Sequence, residues 1–395
     1  MADALIYGAA RTAVGVAGGG LADVRPDDLA SVVIRDVVRR ADLDAAKVDD
    51  VIFGCTNGAG EDNRNVARMA ALLADFPVEV PGMTLNRLCG SGLQAVACAA
   101  QAIKAGEGSR FVAGGVESMT RSPYVMLKKN KPWDRRIPEM ADTTVGWRFI
   151  NKRMKKEWTI GLGETAEVVA EANGISREDQ DAFAFESQRR AGVALEEGVF
   201  TEEIVAVPLP QRDGSVKEFL IDEHPRPSIR LEKLARLRPC FKEGGTVTAG
   251  SSSGINDGAA ALVVAAEGAL SGKPLARIIS TAVAGVDPAS MGLGPVPATR
   301  KVLQRTGMSL DDIDLIELNE AFAAQSLACI RQLELDPAKV NIYGGGIALG
   351  HPLGATGAKL LVTLIHALRR RGKRYGLCTM CIGVGQGIAT IVEAL

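Results

Sequence analysis

Cys89 stands in the run Asn86-Arg-Leu-Cys-Gly-Ser-Gly92, where a β-like stretch turns into a nearly all-apolar helix. A cysteine at a helix start faces unpaired amide donors and the positive end of the helix dipole, which favour its thiolate. A thiol with a pKa of about 8.5 is roughly 3% ionised at pH 7. Lowering it to about 7 gives roughly fifteen-fold more nucleophile for about 2 kcal/mol. The motif has two readings, a nucleophilic thiol and a buried structural cysteine at a helix terminus.

Three further groups could work with it. His351 is one of three histidines and is bracketed by Gly350 and Pro352; His224 lies in a polar loop and His366 on a helix-like stretch. An imidazole so placed is aimed, and can take a thiol proton or donate to a developing oxyanion. Asn319 opens Asn319-Glu-Ala-Phe-Ala323, after the strand-like 315–318. Cys381 opens Cys381-Ile-Gly-Val-Gly385. A second thiol can act as acid or base near neutrality. Cys378-x-x-Cys381 also fits half a zinc site or a redox pair, but the chain offers no second C-x-x-C and no nearby histidine pair. The glycine-rich segment that follows also lacks the helix a redox motif would open, so both readings are rejected.

These groups must be carried by a chain that nearly repeats itself. Asp49-Asp-Val-Ile-Phe53 resembles Asp312-Ile-Asp-Leu-Ile-Glu317, and His351 follows at a spacing like that of Cys89. Phe111–Gly115 and Tyr375–Cys378 each begin sixty residues after the first strand of their half, behind matching turns. Amphipathic patterns at 27–41 and 297–307 precede the two acidic pairs. Two copies of one α/β unit, offset by 264 residues, are the expectation. The helices after Cys89 (93–103) and His351 (358–368) have no continuous polar face, so both should be buried. Packed between two sheets with amphipathic helices outside, they give an α/β fold of five layers, α-β-α-β-α, each half contributing one sheet. The predicted division is 1–120 with 256–276 returning to it, an inserted loop domain at 121–255 with a helix-like 164–198, and 277–395. Within the insertion, 128–157 holds ten Lys/Arg against four Asp/Glu. A solvated loop, a subunit contact and attraction for an anionic ligand are all open readings.

The 395 residues carry 46 Lys+Arg against 47 Asp+Glu, so no global field draws the chain to nucleic acid or to a membrane surface. Aromatics at 4% are too few for base-stacking platforms, and no apolar run reaches membrane-spanning length. Seven cysteines, mostly in apolar segments, fit free thiols, and with no visible signal peptide the expected location is cytoplasmic.

Taken in order, Asn86–Leu93, Gly114-Gly-Val-Glu-Ser-Met119, Asn256-Asp-Gly-Ala-Ala260, Asn319–Ala323, Gly350-His-Pro-Leu-Gly354 and Cys381-Ile-Gly make the chain resemble the thiolase family from Arg11 to the C-terminus. The resemblance implies that Cys89, activated by His351, attacks a 3-oxoacyl-CoA and is acylated as a carbon–carbon bond breaks. Cys381 would protonate the departing acetyl-CoA carbanion, and coenzyme A would release the shortened acyl group; the reverse is a condensation. It implies one oxyanion site from His351 with a water held by Asn319, and another from the backbone N–H groups of Cys89 and Gly383. Ser253 would lie near the pantetheine amides, with Phe241, Met291, Phe322 and Leu162 walling the pocket.

On the same resemblance, coenzyme A is a substrate, no other cofactor or metal is needed, and the assembly is a homodimer or homotetramer. Segments 60–69, 142–149 and 381–387 resemble the degradative branch, which includes 3-oxoadipyl-CoA thiolases and general acetyl-CoA acetyltransferases. The chain departs from the family at Gly161-Leu162, at Ser251 and at Tyr343, which bears on the substrate more than on the chemistry. Two other classes stay in view: a condensing enzyme fed by a carrier protein, which would pair its cysteine with two histidines, and a non-catalytic lipid-binding relative lacking the reactive groups.

Overall fold

The computed structural model describes residues 2–133 and 135–395; Asp134, one of the four acidic residues of 128–157, and Met1 lie outside them. Nine strands form the main path of one sheet: β1 (Ala4–Thr12), β2 (Asp50–Gly54), β3 (Gly82–Leu85), β4 (Arg110–Ser118), β5 (Asn256–Ala266), β6 (Ala276–Gly285), β7 (Leu315–Leu318), β8 (Tyr375–Ile382) and β9 (Gln386–Ala394). Their order is β7-β8-β9-β6-β1-β5-β4-β2-β3. The first half therefore reads β1-β5-β4-β2-β3 and the second β6-β9-β8-β7, with the fifth position held only by a parallel bridge of Ile316 to Val340. In both, the hydrogen bonding is antiparallel up to β4 or β8 and parallel beyond. The two halves join edge to edge through a rung of two residues, Leu5 to Arg277 and Ile6 to Ala276, so the sheet runs on from one half into the other.

Strand alternation sorts the core into layers. From β5, Ala260, Leu262 and Val264 enter the central core, whereas Ala259, Ala261, Val263 and Ala265 enter an outer one. From β9, Ile388 and Val392 face the centre, and Ala389 and Ile391 the other outer core. The centre is filled by α3 (Ser91–Ala105) and the helix that follows His351, Leu353–Arg371. One outer face is covered by α1 (Pro26–Arg40) and α2 (Val66–Leu73), the other by Pro295–Thr306 and Ala323–Leu333. The central helices nearly touch: a Cβ on Gly357 would stand 2.6 Å from the backbone nitrogen of Leu93. Only glycine admits that approach, and it brings the N-termini of both helices to one place.

The expected helix over 164–198 is two helices, α4 (Leu162–Ala172) and α5 (Arg177–Glu196). The break is local chemistry: Gly174 takes φ +58°, and Ser176 caps the second helix in a reciprocal pair with Asp179. In the chain order of the labels, Pro295–Thr306 is α6, Ala323–Leu333 is α7 and Leu353–Arg371 is α8. No helix among the described residues is long and apolar enough to cross a membrane.

Candidate active site

The structure brings the predicted polar groups together as two pairs, Cys89 near Cys381 and His351 beside Asn319, around the closely approaching N-terminal turns of α3 and α8. Cys89 precedes α3 by two residues and lines a cavity of ≈ 250 Å³ together with Leu88, Gly383, Val384, Leu162, Leu353 and the loop 143–148. The backbone N–H groups of Gly383 and of Cys89 itself lie near enough to the sulfur to favour its thiolate. Each is flanked by a strained residue, Leu88 at φ +46° and Val384 at φ +63°. Bulky and β-branched side chains avoid that region, so the surrounding packing holds both amides in place.

The thiol itself corrects the sequence expectation. Burial pushes Cys89 up to about 11, against the pull of the two amides and with a small push from Glu117. α3 begins only at Ser91, so the thiol stands before the first turn of the helix and not in it. Desolvation outweighs the dipole. A neutral thiol is therefore the resting form.

His351 is buried, with Nδ1 2.7 Å from the hydroxyl of Thr356 and Nε2 3.4 Å from the Asn319 amide nitrogen. That pattern fits a neutral ring carrying its proton on Nδ1 and leaving an Nε2 lone pair. Burial, then the nearby Lys359, lowers its pKa to about 3. Its backbone is fixed as well: Gly350 turns at φ +87°, and the N–H of His351 donates to Asn256 Oδ1 at 2.9 Å. Asn319 is fully buried, and its Oδ1 has no hydrogen-bond partner among the described residues.

Cys381 and Cys378 leave opposite faces of β8, as residues three apart on a strand must. Cys378 enters the central core, where Gly357 O lies 4.0 Å from its sulfur. Cys381 enters a small apolar cluster with Ala166, Val247, Met291, Ala321 and Phe322, against which Leu162 packs. Burial raises its thiol well above the ordinary range, and the nearby Cys89 adds to that. The two sulfurs are thus electrostatic neighbours, while the C-x-x-C cannot act as a pair.

Of the other predicted residues, Phe241 is partly exposed and meets Phe322 edge-on at 5.9 Å. Ser253 donates its N–H to Ala321 O at 3.0 Å, beside the same cluster. Ser251 caps a short turn by accepting the N–H of Thr248. Tyr343 is buried against Phe200 and accepts from Arg371, so that departure falls in the central packing. Sequence reading passed over Thr356 and assigned no role to Asn256, Glu117 or the loop 143–148, whose segments entered only as parts of the family resemblance. His224 lies in a loop as expected, half-buried with its ring 3.3 Å from Asn256 Nδ2 and its pKa lowered to about 4, mainly by burial.

A buried neutral imidazole, a thiol near two backbone N–H groups and a second thiol beside it, on a duplicated α/β frame, are groups suited to thiol-dependent acyl transfer. The thiolase N-terminal domain matches residues 4–268 and the thiolase C-terminal domain residues 272–394. The chain is 55% identical over its whole length, and the relative's, to a beta-ketoadipyl-CoA thiolase of Escherichia coli. It is equally similar, at 55% and full coverage of both, to a 3-oxoadipyl-CoA/3-oxo-5,6-dehydrosuberyl-CoA thiolase of Escherichia coli strain K12. The human mitochondrial 3-ketoacyl-CoA thiolase in complex with CoA superposes with a TM-score of 0.92 at 38% identity, covering 100% of this chain and 98% of that one. The chain belongs to the thiolase family and is an acyltransferase.

Proposed function

We propose that the enzyme cleaves 3-oxoacyl-CoA substrates whose acyl chain ends in a carboxylate, of the 3-oxoadipyl-CoA type, through an acyl-Cys89 intermediate. The observation that carries the reading is one cavity lined by Cys89, Gly383 and Leu162, with Leu162 also packed on the apolar cluster that holds Cys381. In this reading His351 takes the thiol proton as the sulfur attacks the 3-oxo carbon. The C2–C3 bond breaks, the acyl group stays on Cys89, and Cys381 gives its proton to C2 to form acetyl-CoA. Coenzyme A then loses its thiol proton to Cys381 and attacks the acyl-enzyme, and the released Cys89 sulfur recovers its proton from His351.

The Cys89 and Gly383 amides hold the negative oxygen on the carbon that Cys89 attacks, a class of donor worth roughly 3–4 kcal/mol each. His351 and Asn319 hold the thioester oxygen of the other partner; the unpaired Asn319 Oδ1 supports a water there. Met291, Phe322, Phe241 and Leu162 wall the pantetheine and acyl path, with Ser253 at its polar edge. The exposed Tyr124, Met126, Trp133, Ile137 and Met140 support contact between copies of the chain, as a dimer or tetramer. A cytoplasmic location completes the reading.

The test follows loss of 3-oxoacyl-CoA absorbance on addition of coenzyme A for wild type and Cys89→Ala. Activity is expected in the first and none above background in the second; a Cys89→Ala enzyme as fast as wild type would overturn the nucleophile assignment.

A further inference from the structure

We propose that Arg148 is the specificity residue that receives the distal carboxylate of the substrate; this rests on the proposed dicarboxylic substrate class. The cavity in front of Cys89 is lined by Thr56, Leu88, Leu162, Leu353, Gly383, Val384 and the loop 143–148, and among the described residues Arg148 is the only charged side chain on its wall. A carboxylate carried into that space has one cation to meet.

The guanidinium is free to meet it. Arg148 is exposed, and its one hydrogen bond among the described residues runs from Nη1 to Thr143 O at 3.3 Å. No carboxylate pairs with it there. The loop's own acid, Asp142, is used locally, accepting from the N–H and hydroxyl of Thr144 at 2.8 and 2.7 Å. Nε and Nη2 therefore remain for a ligand, and the planar fork of arginine matches a carboxylate through two parallel hydrogen bonds.

The platform beneath it is fixed. Asn57 Nδ2 donates to Thr143 Oγ1 at 2.6 Å, and that hydroxyl donates to Pro123 O at 2.6 Å. At the other end of the loop, Trp147 Nε1 donates to Ile160 O at 3.1 Å, tying it to the segment that opens α4 with Leu162. Arg148 thus leaves a loop held at both ends, facing the same cavity as the Cys89 sulfur. The other basic residues of 128–157 are absent from that wall.

The experiment compares kcat/KM for thiolysis of 3-oxoadipyl-CoA and of 3-oxohexanoyl-CoA, which has the same chain length without the carboxylate. Wild type is expected to favour the first. In Arg148→Met the ratio of the two constants should fall roughly 10–100-fold, the cost of losing charge-assisted hydrogen bonds. Arg148→Lys, with the charge but no fork, should fall between. An unchanged ratio in Arg148→Met, or an equal loss on both substrates with a raised KM for coenzyme A, would overturn the inference and place Arg148 on the common part of the ligand. A wild type that prefers 3-oxohexanoyl-CoA overturns the inference and leaves thiolysis through Cys89 standing. A wild type inert with both overturns that chemistry too.

Discussion

The Glu117 carboxylate accepts the N–H of Gly354 at 2.8 Å and that of Thr56 at 3.0 Å, both on one oxygen. It thereby ties the end of β4 in one half to the first turn of α8 in the other, three residues after His351. Glu117→Ala would leave two buried donors unpaired, at about 1–3 kcal/mol each. A stability loss of roughly 2–5 kcal/mol in urea is expected, with kcat falling as the His351 loop loosens. Glu117→Gln keeps an acceptor for both amides and should be far milder.

The same carboxylate should shape the pH dependence of stability. Burial raises its pKa above the usual range. A carboxyl whose folded pKa exceeds its unfolded value is protonated more readily in the native state. Its contribution is full below the unfolded pKa and is lost as pH rises through the folded one. Glu117→Gln should therefore gain on wild type in urea midpoint as pH rises above about 4.5; a constant difference would contradict the sign.

Thr356 holds the ring of His351 through Nδ1, and Thr356→Val is nearly isosteric without the hydroxyl. The buried Nδ1–H would lose its acceptor, and the ring the contact that sets its tautomer. kcat should drop about 10-fold, on the scale of one lost hydrogen bond, with KM for coenzyme A little changed. Thr356→Ser should recover most of it. If Thr356→Val retains full kcat, the hydroxyl does not orient the ring.

Much of this was legible in the chain. The acidic turns, the sixty-residue spacing and the two apolar helices place β2, β4, β7, β8, α3 and α8, because alternation and periodicity are local properties. Cys89, His351, Asn319 and Cys381 were legible because each stands at a turn between such elements. The residues that hold them were not. Asn256 and Glu117 each lie in a segment that carries the family resemblance, but Asn256 reaches His351 across 95 positions and Glu117 reaches Gly354 across 237, so no local pattern shows what either holds. Gly346–Leu349 forms a helical turn where a repeat of β3 would fall, because the chain there wraps the Glu320 side chain, which accepts the N–H of Ile347. The thiol's acidity was misread because a helix start is visible in sequence while the depth of burial is not.

Gly357 offers a test of the helix crossing. With a Cβ 2.6 Å from the Leu93 nitrogen, Gly357→Ala must part α3 from α8. Overpacking of this kind costs about 1–3 kcal/mol. Because the proposed Cys89 and His351 turns lead into these two helices, kcat should fall alongside the urea midpoint. Loss of stability with unchanged kcat would show that the two N-termini are positioned separately.

The two thiols of Cys378-x-x-Cys381 should separate cleanly. Cys378 contacts only core atoms, so Cys378→Ala should cost some stability and leave kcat within about twofold. Cys381→Ala removes the proposed acid and base, for which a loss of roughly 100–10,000-fold is expected. Equal losses would revive the paired reading of the motif.

The resting state of Cys89 can be read by alkylation. With the thiol pushed up to about 11, the thiolate fraction grows tenfold per pH unit across pH 7–9.5. Iodoacetamide labelling of residue 89, followed by mass spectrometry, should rise log-linearly over that range, whereas an ordinary thiol near 8.5 would flatten. No inflection is expected near pH 6.5, because His351, lowered to about 3, stays neutral throughout. A plateau reached before pH 9 would mean that a thiolate and an imidazolium already coexist at rest. The linear rise would mean the opposite: neutral sulfur and neutral ring exchange their proton only as charge passes to an oxygen facing the Cys89 and Gly383 amides. Burial would then protect the thiol between turnovers, and the preset donors would make it reactive only against a carbonyl that reaches them.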